Sequence, residues 1–110
     1  MSDALGTVLA ALSDATRRSV VERLLRGPAT PGELAKDVTI TAQGLSRHLA
    51  VLEEAGLIYR TREGQRRPCH LDPAGLRIAA SWIDQNRAVW EARFERLEKH
   101  VANKREKKND

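Results

Sequence analysis

One cysteine among 110 residues excludes an internal disulfide and a thiolate-only zinc site within one chain. Aromatic residues make up only 4%, so a core has to be built from Leu, Val, Ile and Ala. No apolar run approaches the ~18–20 residues needed to span a bilayer. Met1-Ser2-Asp3 lacks the basic-then-apolar order of a secretion signal. There is no glycine-rich phosphate loop, no Ser/Cys–His–acid set at a meaningful spacing and no plausible carboxylate pair. His48, His70 and His100 fall on different expected elements. These absences argue against an enzyme and against a membrane partner, and point to a small cytoplasmic protein.

What is present is an ordinary globular mixture, 41% hydrophobic and 31% charged. The net charge is +4, which suits a polyanion partner without proving one. Its distribution says more. Residues 1–56 carry six Lys/Arg against seven Asp/Glu, and residues 57–73 carry four against two. Residues 74–110 carry nine against six.

Leu5, Val8, Leu9 and Leu12 recur at helical spacing over 3–12. Asp14 is placed to cap a second helix running to about Arg26, with Val20, Val21, Leu24 and Leu25 inward. Gly27-Pro28 stops it. Thr30-Pro31-Gly32-Glu33 is a capping box with proline at the first helical position, opening a short helix to about Lys36 or Asp37. Thr41 caps a fourth helix over 42–55, closed by Gly56, with Leu45, Leu49 and Leu52 on one face. Residues 57–62 and 66–71 read as strands around the turn Glu63-Gly64-Gln65. Pro68 lacks a ladder donor and should sit at a sheet edge. A last helix is expected over 74–102, followed by a charged tail at 103–110 that frays. The fold class is therefore mainly α, with residues 1–102 as one domain. It is a winged helix-turn-helix with a two-stranded β-hairpin wing and a long C-terminal dimerisation helix.

With the leucines inward, the fourth helix turns Gln43, Ser46, Arg47 and Ala50 outward near its start. An α-helix fits the major groove of B-DNA, where base edges present distinguishable donors and acceptors. Gln43 pairs with adenine, Arg47 with guanine or phosphate, and Ser46 with either. Thr41 belongs to the same turn, and small Gly44 lets the backbone approach. His48 lies between the two faces, as a phosphate ligand or as a half-buried structural residue. On the wing, Arg60, Arg62, Gln65, Arg66 and Arg67 suit the backbone or the minor groove of double-stranded DNA. The other reading of that charge is a guard against edge-to-edge aggregation.

Ala11-Leu12-Ser13-Asp14-Ala15-Thr16-Arg17-Arg18 resembles the opening of ArsR-type (metalloregulator-like) winged-helix repressors. Leu45 through Ile58 resembles that family's recognition helix running into the wing, and Leu71-Asp72-Pro73 with the terminal helix completes the likeness over about residues 3–100. The resemblance implies a homodimeric DNA-binding transcriptional regulator, usually a repressor. It also implies an interface built from the first and last helices. The apolar pattern supports that interface: Ile83, Trp90 and Leu97 repeat every seven residues, with Phe94 and Trp82 beside them. Leu5, Val8 and Leu9 are the candidates on the first helix.

The chain departs from the family's metal sensors. The helix at 31–37 contains no cysteine, and Asp84 and His100 lie sixteen residues apart, about 24 Å along a helix. The resemblance is to a subgroup without an evident metal site; no cofactor is expected, and no inducer is legible. Two alternatives stand beside the repressor. One is a winged-helix protein-interaction module, suggested by the near-neutral first half. The other is a redox-responsive regulator, in which arginines near Cys69 favour its thiolate.

Overall fold

The computed structural model describes residues 3–109, with side-chain burial described for residues 3–106. Helix α1, Ala4–Ala11, opens on an Asp3 cap whose carboxylate accepts from the Gly6 N–H at 2.8 Å. It turns Val8 and Ala11 into the core. Helix α2, Ala15–Leu24, starts where the sequence places it: the Asp14 carboxylate accepts from the Arg17 N–H at 3.0 Å. It stops two residues short of Arg26, and Leu25 is 60% exposed rather than inward. Val20, Val21 and Leu24 already fill the inner face. Gly27, at φ 143°, then redirects the chain through a conformation that side-chain-bearing residues avoid.

Helix α3, Pro31–Lys36, carries the full capping box. The Glu33 N–H donates to the Thr30 hydroxyl oxygen at 3.2 Å, and the Thr30 N–H donates back to Glu33 Oε1 at 3.3 Å. Helix α4, Ala42–Glu54, is capped by the Thr41 hydroxyl, which accepts from the Gly44 N–H at 3.0 Å. Leu45, Leu49 and Leu52 are buried, and Gly56 at φ 74° ends the helix in a left-handed turn.

Strands β1, Ile58–Arg60, and β2, Cys69–Leu71, pair antiparallel with Tyr59 opposite His70. Both are shorter than the sequence suggests. Between them the ladder thins to a Thr61 N–H to Pro68 C=O bond at 3.1 Å and a bridge of Glu63 with Arg66 around Gly64. The expected free edge at β2 is partly closed. Ala29 exchanges two backbone bonds with Cys69, at 2.8 and 3.1 Å. That pairing joins residues forty apart and leaves no local pattern to read.

Helix α5, Pro73–Asn109, begins against the body: the Gly75 N–H donates to the Gly56 carbonyl at 2.9 Å, and Ala79 is buried. It continues past Ala102, where the sequence reading ends it, because Lys, Glu and Arg are good helix formers and no Gly or Pro follows Gly75. The order is that of a winged helix-turn-helix, mainly α, with a two-stranded wing and a long last helix.

The chain divides into two compact units, Met1–Ala79 and Ala80–Asp110. The first holds one core, in which Leu34, Leu49, Leu52, Leu57, Ile58 and Cys69 are almost wholly buried. Truncating any of these leucines costs about 2–5 kcal/mol through lost burial and the cavity left behind. The second unit is the remainder of α5, and none of its residues from 80 to 106 is buried. The sequence reading carries one domain to residue 102, whereas side-chain burial ends at Ala79.

Candidate nucleic-acid interface

The outer face of α4 is set by the inner one. Leu45, Leu49 and Leu52 are 3%, 1% and 0% exposed, so Gln43, Ser46, Arg47 and Ala50 line an open groove on the opposite side. Ser46 and Arg47 are exposed, and Arg47 has no ion-pair partner among the described residues. Thr41 serves as the cap. At Gly44 a Cβ would sit 3.2 Å from the Thr41 hydroxyl oxygen, so a small residue keeps the cap undisturbed.

His48 is anchored inward. Its Nδ1 lies 3.1 Å from Arg17 Nη1 and 3.8 Å from Asp14 Oδ2. Asp14 is held below the usual carboxylate range, first by the hydrogen bond from the Arg17 backbone N–H. Of the two readings of His48, the structural one accounts for Nδ1. Nε2 has no protein partner among the described residues.

The wing arginines divide. Arg62 and Arg67 are exposed, as is Gln65. Arg60 is drawn toward α4, its Nε 3.8 Å from Glu53 Oε2. Arg66 is tethered to α3, its Nη2 2.9 Å from Glu33 Oε1. Glu33 is held below the usual carboxylate range by the Thr30 hydroxyl, then by the Thr30 N–H and by Arg66. By sequence alone Glu33 belongs to the capping box and Arg66 to a DNA-facing wing; nothing local announces that the Glu33 carboxylate serves both the cap and Arg66. On the other strand face, Tyr59 stacks on His70 at 4.9 Å and 9°. The His70 Nε2 lies 2.7 Å from the Thr61 hydroxyl.

Cys69 is fully buried, and burial pushes its thiol up, outweighing the opposing charge of Arg60. Desolvation opposes the thiolate that the redox alternative requires, and the residue packs as a small hydrophobe.

Among the expected interface residues of α1, Val8 is 1% exposed and belongs to the core of its own unit. Its side chain has no area left to bury against a partner. Leu9 is 45% exposed and Leu5 half-buried. On α5, Trp82, Ile83, Trp90, Phe94 and Leu97 are all exposed, and Trp90 meets Phe94 edge to face at 5.8 Å. Among the described residues, no helix is long and apolar enough to cross a membrane.

Residues 12–60, from the end of α1 through β1, match the model of a helix-turn-helix domain. The chain is 44% identical over 75 residues to the HTH-type transcriptional regulator Rv2034 of Mycobacterium tuberculosis, covering 68% of this chain and 70% of that one. It is 32% identical over 79 residues to the transcriptional repressor SdpR of Bacillus subtilis, covering 72% and 88%. A crystallised ArsR family transcriptional regulator superposes with a TM-score of 0.74 at 34% identity, covering 81% of this chain and 92% of that one. Fold, helix-turn-helix, wing and relatives agree: the chain belongs to the ArsR-type winged helix-turn-helix family of transcriptional regulators.

Proposed function

We propose that the protein is a homodimeric, sequence-specific transcriptional repressor that reads an inverted repeat in double-stranded DNA. Helix α4 enters the major groove, with Gln43, Ser46 and Arg47 toward base edges and Thr41 and Gly44 close to the backbone. Arg62, Gln65 and Arg67 follow the phosphates or the minor groove, and Arg60 and Arg66 shape the wing behind them. The observation that carries the reading is the outer face of α4: hydrogen-bonding side chains beside small residues at a helix start, with a basic wing next to it. The repressor sense follows the similar Bacillus subtilis repressor.

The dimer rests on α5. One chain leaves Ile83, Trp90 and Leu97, a seven-residue repeat, at 43%, 42% and 56% exposure, with Phe94 at 56% beside them, an apolar stripe of the kind a partner helix covers. Leu5 and Leu9 of α1 complete the interface. A symmetric dimer sets two recognition helices about 34 Å apart, one turn of DNA.

The test is selection of bound fragments from genomic DNA, followed by footprinting and mobility shifts over a salt series. Protection of a symmetric site that weakens steeply with salt is expected. Equal affinity for random DNA sinks the sequence-specific reading. Loss of the dimer in sedimentation on Phe94→Ser is the parallel check on assembly; an unchanged sedimentation coefficient removes α5 from the interface.

A further inference from the structure

Arg17 gathers three elements at one side chain. Its Nε donates to the Ala11 carbonyl at 2.7 Å and its Nη2 to the Ala10 carbonyl at 3.1 Å, both at the C-terminal end of α1. Carbonyls at that end of a helix lack the next turn's donors, so the guanidinium helps close the helix, sharing the Ala10 carbonyl with the N–H and hydroxyl of Ser13. Its own backbone N–H is held by Asp14, the cap of α2. The remaining nitrogen, Nη1, reaches His48 Nδ1 on α4, 31 residues along the chain.

The chemistry of that last contact is one-sided. A guanidinium only donates. His48 Nδ1 must therefore accept, and a neutral imidazole that accepts at Nδ1 carries its proton on Nε2. The fork also fixes the ring: two carbonyls hold the guanidinium in plane, and the third bond aligns the imidazole. Nε2–H then has no protein acceptor among the described residues, on the helix that carries Gln43, Ser46 and Arg47.

We infer that Arg17 is a positioning residue for DNA binding, which locks His48 as the Nε2–H tautomer, a ready-made phosphate donor, and fastens α4 to the end of α1. The inference rests on the DNA-binding reading above. It gives His48 both of the roles its position suggested, one for each ring nitrogen. It also gives the recognition helix a direct tie to α1, the helix assigned to the dimer interface, so that the spacing of two half-sites is transmitted through hydrogen bonds rather than through packing alone.

The test has two readouts. In the free protein, nitrogen-detected NMR of the His48 ring reports which nitrogen is protonated. Nε2 is expected in the wild type, with a shift toward the mixed tautomers of a free imidazole in Arg17→Met. A wild-type ring protonated on Nδ1 overturns the proposal. The second readout is affinity for the fragment recovered by the genomic selection. Arg17→Met and His48→Phe should each weaken binding about tenfold, the size of one charge-assisted bond. His48→Gln offers an acceptor to Arg17 and an amide donor in place of Nε2–H, and should stay within about threefold of wild type. If Arg17→Met fails to fold, the wild-type spectrum and the two His48 variants still decide. A wild-type chain that retains no DNA fails the DNA-binding reading; retained binding with unchanged affinity in His48→Phe overturns the role of Arg17 and His48 alone.

Discussion

Arg66 at the wing tip and Glu33 in the first turn of α3 meet at 2.9 Å, across 33 residues of sequence. The same Glu33 oxygen accepts from the Thr30 hydroxyl at 3.0 Å, so the helix cap and the wing share one carboxylate. The contact makes Arg66 a support of the wing, with Arg62 and Arg67 left as its outward charges.

This contact has a pH signature. Glu33 is held below the usual carboxylate range in the fold, chiefly by the Thr30 hydroxyl. A depressed folded value means that the stabilisation is complete above the unfolded carboxylate pKa and is lost as pH falls through the folded one. Thermal unfolding of wild type and Glu33→Gln should therefore differ most near neutrality and converge below about pH 4. A difference in melting temperature that persists undiminished in acid contradicts the role of the charge.

Gly75 is required by a close approach. A Cβ there would lie 2.7 Å from the Gly56 carbonyl oxygen and 2.9 Å from Leu57 Cδ2, and the first of these is backbone that cannot swing aside. Gly75→Ala should cost about 1–3 kcal/mol in denaturant unfolding, as overpacking does. Gly32→Ala is the matched control: its Cβ would meet only the Thr30 hydroxyl oxygen, at 3.9 Å. That substitution should be neutral or slightly stabilising, since alanine loses less backbone entropy in a helix.

Cys69 should behave as packing, not as a sensor. In the native protein a thiol reagent should label it far more slowly than in denaturant. Cys69→Ser should destabilise by about 1–3 kcal/mol, because a hydroxyl replaces a buried thiol in an apolar core. Rapid native-state labelling, or derepression by oxidant that Cys69→Ser abolishes, restores the redox alternative.

The exposed arginines should separate by what they report. Arg47→Ala should cost about 1–3 kcal/mol on the selected site and relax base preference at one position. Arg62→Ala should weaken all sequences alike and reduce the salt slope by about one. Arg66→Ala should lower stability more than it changes that slope, since its charge is already matched by Glu33. Binding isotherms across a salt series, paired with melting curves, distinguish these outcomes.

The sequence by itself determined the elements whose causes are local. Asp14, Thr30 with Glu33, and Thr41 each satisfy N–H groups three residues away, and all three caps form. Leu45, Leu49 and Leu52 fix the inner face of α4, and with it the outer face. Single apolar residues were less legible, because periodicity names a face without saying how deep it lies: Leu25 is exposed, and Val8 serves its own core. Tertiary structure alone decided the contacts between distant segments: Ala29 with Cys69, Glu33 with Arg66, Gly56 with Gly75, and Arg17 with His48. The physical reason is common to them. A hydrogen bond between residues far apart leaves no spacing in the chain, and its partners come within reach only once burial of the leucine core has brought their elements together.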